Sequence, residues 1–285
     1  MVALHARRSH AAIIKFRRQN PEAPIIVALT GTDLYRDLQK NQLAQKSLEI
    51  ANRIVVLQPK AIEELRPSLR KKARVIYQSV DDPPTPTIGK ATKITVKKPD
   101  LNVRSNGSFD VCVIAHLRAV KDPFRAAMAS RLLTDNSQVR VVQIGAAMTE
   151  AMLLRARSEM QVNQRYHWLG EQPRSRVRRI LAKSHLCVLS SRIEGGANVL
   201  SEAIVASVPI LASRIDGNVG ILGKDYPGLF DVGDTEQLAR LLARAENHQE
   251  YLAELRDRGE KLAPLFDPKR EEEAWEDLIS DSFRS

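Results

Sequence analysis

Short runs rich in β-branched residues alternate along this chain with longer segments of helical character. The runs are "VALH" (2–5), "PIIVALTG" (24–31), "RIVVLQP" (53–59), "ARVIYQS" (73–79), "FDVCVIAHL" (109–117), "VRVVQIG" (139–145), "RYHWLGE" (165–171), "HLCVLSS" (185–191) and "VPILAS" (208–213). Each is bounded by turn residues. A strand followed by a helix and another strand leaves few architectures open. The helices must cross over between parallel strands and cover both faces of the sheet.

The alternation breaks once. Residues 81–107, "DDPPTPTIGKATKITVKKPDLNVRSNG", are rich in Pro, Lys, Thr and Asn and have no helical period, which reads as a linker. It separates a first α/β unit, 1–80, from a second, 108–265. The tail 266–285 is a terminal helix, with Asp267 as N-cap and Pro268 at its first position. The first unit holds about three strand–helix steps, fewer than the ~5–6 strands of a doubly wound sheet. It also opens inside a strand, so a first strand and its loop are expected to be missing and the N-terminal domain incomplete. The basic start, whose first acidic residue is Glu22, resembles a mitochondrial presequence, but strand–helix–strand order explains it better.

With 285 residues the chain can bury two cores, and no apolar run approaches the ~20 residues of a membrane helix. Net charge is +10, which fits either nucleic acid or an anionic small molecule. The cations come in short groups and aromatics are only 5%, too few for base stacking, so small anionic substrates are expected and nucleic acid is not. Cys112 and Cys187 sit in apolar strands without ligand partners. They read as buried free thiols of a reducing, cytoplasmic setting.

The most informative stretch is "SRIEGGANVLSEAIVASVPILAS" (191–213). The loop 192–197 follows a strand and precedes a helix with Asn198 as the expected N-cap. That is the carboxyl end of a parallel strand, where open α/β sheets bind ligands. Gly195 and Gly196 let backbone N–H groups approach an anion, and the helix N-terminus adds partial positive charge. Glu194 and Glu202 suit sugar hydroxyls instead, because each carboxylate accepts several hydrogen bonds. A plain turn with a capping glutamate is the competing reading. At another strand end, "VIAHLRAVKDP" (113–123) presents Arg118 and Lys121, a fork and a point charge able to neutralise a diphosphate, or simply a solvated loop.

"EGGANVLSE" resembles the E-x7-E signature of retaining glycosyltransferases of family 4. "HLRAVKDP" resembles their Arg/Lys diphosphate element, and "LGEQP" (169–173) their nucleotide-base loop, which brings in Gly170 and Glu171. "SEAIVASVPILAS" is similar to their E-A-x-x-x-G-x-P-V segment, with Ser207 at the usual glycine. The resemblance is good over 108–240 and implies a GT-B fold, two Rossmann-like domains facing across a cleft. It further implies a donor site built from Arg118, Lys121, Glu194, Gly170, Glu171, Gly195, Gly196, Ala197, Asn198 and Glu202.

A narrower resemblance takes in "LHARRS" (4–9), "VALTGTDLYRDL" (27–38), "RVIYQS" (74–79) and the run from Ser190 to Thr235. These look like the selenosugar synthases of selenoneine biosynthesis. That family implies transfer of N-acetylglucosamine from UDP to selenophosphate. The nucleotide sugar is then a substrate, and no cofactor is implied. An ordinary hydroxyl or thiol acceptor, or a nucleotide-sugar binder without turnover, are the alternatives. Selenophosphate needs positive charge and no general base. On that side stand His5, Arg7 and Arg8 after one strand, and Thr30, Gly31, Thr32 and Asp33 after the next. Thr30 occupies the family's histidine position, and Asp33 either meets sugar hydroxyls or caps the following helix. No D-x-D motif is present, so catalysis is expected to be metal-independent. The glycines of "GNVGILGKDYPG" (217–228) read as a connecting loop, and the family's pattern implies a backbone contact there with the donor.

Overall fold

In the computed structural model, residues 1–81 and 107–284 are described; nearly all of the expected linker lies outside them. The first sheet is built from β1 (Val2–Leu4), β2 (Ile26–Ala28), β3 (Arg53–Val56) and β4 (Ala73–Val75), all parallel and in chain order. Helices α1 (His10–Gln19), α2 (Gln42–Ile50) and α3 (Pro67–Arg70) connect them. Alternation along each strand sorts the side chains. Val27, Ile54 and Val56 point into a core with Ile13, Leu48 and Leu69.

The second sheet contains β5 (Phe109–Ile114), β6 (Val139–Ile144), β7 (Tyr166–Trp168), β8 (Leu186–Leu189), β9 (Ile210–Ser213) and β10 (Leu229–Phe230). Its helices are α4 (Arg125–Ser130), α5 (Glu150–Val162), α6 (Arg174–Lys183), α7 (Asn198–Val205) and α8 (Asp216–Leu222), followed by α9 (Thr235–Asn247) and α10 (Gln249–Glu260). Every pairing is parallel, and the strands lie in the order β10-β9-β8-β5-β6-β7. Counted from β5, that is the doubly wound arrangement 3-2-1-4-5-6 read from the other edge, with its switch point between β5 and β8. Cys112 and Cys187 face each other across that pair, both buried and unbridged.

The last helix, α11 (Pro268–Arg284), crosses back to the first sheet. Its Leu278, Ala274 and Trp275 cover the face formed by Ile26, Ala28, Val55 and Ile76. Burying a side chain such as Leu278 contributes about 1.5–3 kcal/mol, so the helix ties the two units together energetically. The helix begins at Pro268, the first position expected for it, and Ala263–Phe266 before it form a separate 3-10 turn.

Two local expectations change. Asn198 is the first residue of α7 and Ala197, in extended conformation, is the N-cap. The segment "LYRDLQ" is a π-helical turn, Asp33–Asp37, because Asp33 is anchored in the loop before it. Ser207, where a glycine is usual, has φ 55°. Its N–H and that of Val208 bond back to Ile204 and Ala203 at 3.0 and 2.9 Å, which closes α7 in a Schellman motif and demands the left-handed conformation.

Candidate functional site

At the switch point the chain leaves β5 in one direction and β8 in the other, which opens a crevice above their carboxyl ends. A cavity of about 260 Å³ lies there. Ile114 and Ala115 border it from β5, Ser190 and Ser191 from β8, and Gly196, Ala197 and Asn198 from the start of α7. The eight-residue helix therefore aims its unpaired N–H groups at this space.

Lys121 and Glu194 both line the cavity and form an ion pair with each other, Nζ to Oε1. Ser191 Oγ donates to the same carboxylate oxygen at 2.6 Å. The two residues expected to meet different parts of a ligand thus neutralise one another in the free protein. An ammonium has three donors, so Lys121 can hold Glu194 and an anion together. Arg118 is exposed and, among the described residues, has no ion-pair partner. The loop that carries both cations is braced: Ser190 Oγ donates to the Asp122 carbonyl at 2.8 Å, and the Asp122 carboxylate meets Arg125 at 2.9 Å and Arg192 at 3.7 Å.

The glycines answer a different need from the one the sequence suggested first. A Cβ at Gly195 would lie 2.5 Å from the Gly31 nitrogen, and one at Gly31 would lie 2.5 Å from the Gly195 nitrogen. Real Cβ atoms do not approach backbone so closely, so glycine at both positions lets the loop after β2 rest directly on the loop before α7. Gly196 makes room for Leu57, whose Cβ would be 2.8 Å from an added methyl. Gly217 packs on the Glu194 carbonyl and Gly220 on Gln58. A Lys60–Asp216 ion pair at 3.2 Å completes the contact of the two units. Gly196 also borders the cavity, so one residue serves both the cavity wall and the contact with the first unit.

The remaining donor-side candidates separate. Gly170, at φ 68°, and Glu171 border another cavity, about 510 Å³, at the carboxyl ends of β6 and β7 with Thr149 and Trp168. It is on the same rim of the sheet as the first. Glu202, just over one turn into α7, is not among the residues bordering either cavity. It faces α6, where Arg178 Nε lies 4.0 Å from its Oε1. Burial pushes its carboxyl above the usual range, and Arg178 and then Arg174 pull it back.

In the first unit, Asp33 is completely buried. Its Oδ1 accepts from Thr30 N and Oγ1, both at 2.7 Å, and its Oδ2 accepts from Ala6 N at 3.0 Å. Both oxygens are used and neither reaches open space, so the expected sugar contact gives way to a loop-tying role. Thr30 is its partner, while Thr32 is exposed. His5 is buried at φ 73°, with its ring nitrogens 3.8 Å from Asp33 and 3.7 Å from Asp37. Arg7 pairs with Asp37 at 3.1 Å, and Arg8 is exposed without a side-chain partner among the described residues. Sequence reasoning passed over Ser190, Ser191, Asp122 and Arg178. The serines carried a signal, two hydroxyls directly after an apolar strand; the others depend on contacts far apart in the chain. Among the described residues, no three His, Cys, Asp or Glu side chains group as metal ligands, and no helix is long and apolar enough to cross a membrane.

Residues 97–262 match the model of a protein family described as glycosyl transferases group 1. The chain is 23% identical over 235 residues to N-acetyl-alpha-D-glucosaminyl L-malate synthase of Bacillus anthracis, a match covering 79% of this chain and 60% of that protein. It therefore spans about three fifths of that relative's length. Among solved structures, Anabaena HepE in complex with UDP-glucose superposes with a TM-score of 0.73 at 14% identity, over 98% of this chain and 78% of that one. An alpha,alpha-trehalose-phosphate synthase (UDP-forming) from Burkholderia xenovorans gives 0.73 at 13% identity, over 100% and 73%. These likenesses establish a GT-B arrangement of two parallel-sheet α/β domains.

Proposed function

Because the chain belongs to the group 1 glycosyl transferases, we propose that it transfers N-acetylglucosamine from UDP to selenophosphate, forming a carbon–selenium bond. The observation that carries a nucleotide-sugar donor is the switch-point cavity, where the N-terminus of α7, Lys121, Ser191 and Glu194 converge with Arg118 on the adjoining loop. N–H groups and cations suit a diphosphate, and the carboxylate suits a hydroxyl. The sugar is supported by the name of the malate-synthase relative, and the acceptor by the motif resemblance.

Selenium of the acceptor attacks the anomeric carbon. The bond from that carbon to the β-phosphate oxygen breaks, and UDP departs with the electron pair. The first product is a sugar–selenium–phosphate, from which water releases the selenosugar and phosphate. Arg118, Lys121 and the amides of α7 stabilise the charge gathering on UDP, while the cleft holds the two reactants together. Glu194 and Glu202 take donor hydroxyls, and Gly170 and Glu171 stand at the base. Arg8, exposed after β1, is the acceptor clamp; Arg7 is already engaged by Asp37.

A second reading has a specific observation behind it: the malate-synthase relative suggests a hydroxyl acceptor on the same fold. Incubation with UDP-N-acetylglucosamine and either selenophosphate or a hydroxy acid separates them. UDP release with a selenosugar mass, unchanged in excess EDTA, is the expected result. Turnover only with the hydroxy acid replaces the acceptor, and UDP binding without turnover leaves a binding protein. Arg8→Ala raises the Michaelis constant of the acceptor more than that of the donor; equal effects would remove Arg8 from the acceptor site.

A further inference from the structure

Arg178 on α6 is mostly buried, its side chain 17% exposed, yet two of its guanidinium nitrogens, Nε and Nη2, are shielded from solvent and have no hydrogen-bond partner among the described residues. A buried donor without an acceptor costs about 1–3 kcal/mol, and more when charged, so such an arrangement calls for a reason. Two carboxylates flank it, each just outside hydrogen-bond range. Glu202 Oε1 lies 4.0 Å from Nε, and Asp81 Oδ2 lies 3.8 Å from Nη2. Glu202 belongs to α7, whose first turn borders the switch-point cavity. Asp81 stands where the first unit hands over to the segment joining the two.

We propose that Arg178 is the positioning residue of the donor site, aligning Glu202 on α7 for a hydroxyl of the nucleotide sugar. The inference rests on the donor reading above. A shift of less than 1.5 Å brings Nε and Oε1 from 4.0 Å to ordinary hydrogen-bond length. Site hydrogen bonds are often long before the ligand arrives and tighten with it. Free of ligand, the guanidinium sits between two carboxylates and is committed to neither. Donor binding draws it to Glu202, which fixes the rotamer of that side chain through Oε1 and leaves Oε2 available to a hydroxyl.

Chemistry at Glu202 makes the role visible. The groups facing it are Arg178 and Arg174 from α6 and the buried Cys187 thiol from β8. Burial raises its carboxyl, and the two arginines oppose that rise. A raised carboxyl loses its charge as pH falls through its own value, so hydroxyl binding is lost on the acid side. Removing Arg178 leaves only Arg174 to oppose the burial effect, and the acid limb moves upward.

The test uses the whole chain and two readouts. In ligand-free protein with ¹³C-labelled glutamate, the Glu202 carboxyl is titrated by NMR and identified by its absence in Glu202→Gln. Arg178→Gln raises its midpoint by about one pH unit, the effect expected on losing a nearby opposite charge, and Arg178→Lys restores most of the difference. UDP binding is followed by calorimetry across the same range. Its acid limb moves up with the titration in Arg178→Gln, and affinity at high pH, where Glu202 is ionised in both proteins, falls much less. An unchanged Glu202 midpoint in Arg178→Gln overturns the inference, as does equal loss of affinity at every pH. If UDP does not bind the wild-type chain at all, the donor reading fails, and the NMR titration still decides whether Arg178 governs Glu202.

Discussion

The two sheets are both parallel, but they are wound differently, and chemistry follows the winding. In the first, β1 to β4 lie side by side in chain order, so successive connections run in one direction and no crevice opens between neighbouring strands. In the second, the order reverses between β5 and β8, and the cavity with Lys121, Ser191 and Glu194 stands at that reversal. The first unit contributes to this place by contact, through Gly31 against Gly195 and Leu57 against Gly196. One half thus lines the cavity and the other packs against its rim.

Mutations can break this division of labour at its seam. Gly195→Val places side-chain atoms where the Gly31 backbone is, and the atoms it meets are all backbone, with no side-chain end to yield. Turnover is expected to fall at least ~100-fold, because misplacing the cleft by about 1 Å has that cost. Small-angle scattering would show a wider separation of the units. Unaltered turnover would mean that the loop contact is incidental.

Within the second sheet the cations sharpen the comparison. Lys121→Ala leaves Glu194 unpaired in a largely buried place, its side chain 12% exposed. The expected result is a drop in kcat of about 10²-fold, the loss typical of a group stabilising developing charge. Arg118→Ala should also lower kcat, but by less than Lys121→Ala, since among the described residues Arg118 has no ion-pair partner to strand. Steady-state kinetics of the two variants distinguish these patterns.

The smallest effect concerns the end of α7. Ser207→Gly relieves a left-handed conformation that costs a non-glycine residue about 1 kcal/mol, offset in part by the freedom glycine gains in the unfolded chain. Thermal unfolding should shift upward by roughly 1–3 °C, with turnover unchanged.

How much of this was readable beforehand follows the range of the interactions. Strand runs such as "VRVVQIG" and "HLCVLSS" declare themselves by composition, because a strand buried on both faces needs β-branched residues throughout. The loop 192–197 was legible as a candidate site, since position after a strand and before a helix is a local property. The partners were not. Lys121 and Glu194 are 73 residues apart, Gly31 and Gly195 more than twice that, and no local pattern joins them. Asp33 shows the same limit from the other side. Its place before a helix suited a cap or a ligand equally, and only burial with Ala6 and Thr30 around it decides for the loop.

The claim that the second sheet makes the donor site can be put directly to hydrogen exchange of the whole chain, with and without UDP. Protection centred on 113–121 and 189–199, the two arms of the switch point, is the predicted result. Protection confined to the loops after β1 and β2, with 189–199 unchanged, would contradict it.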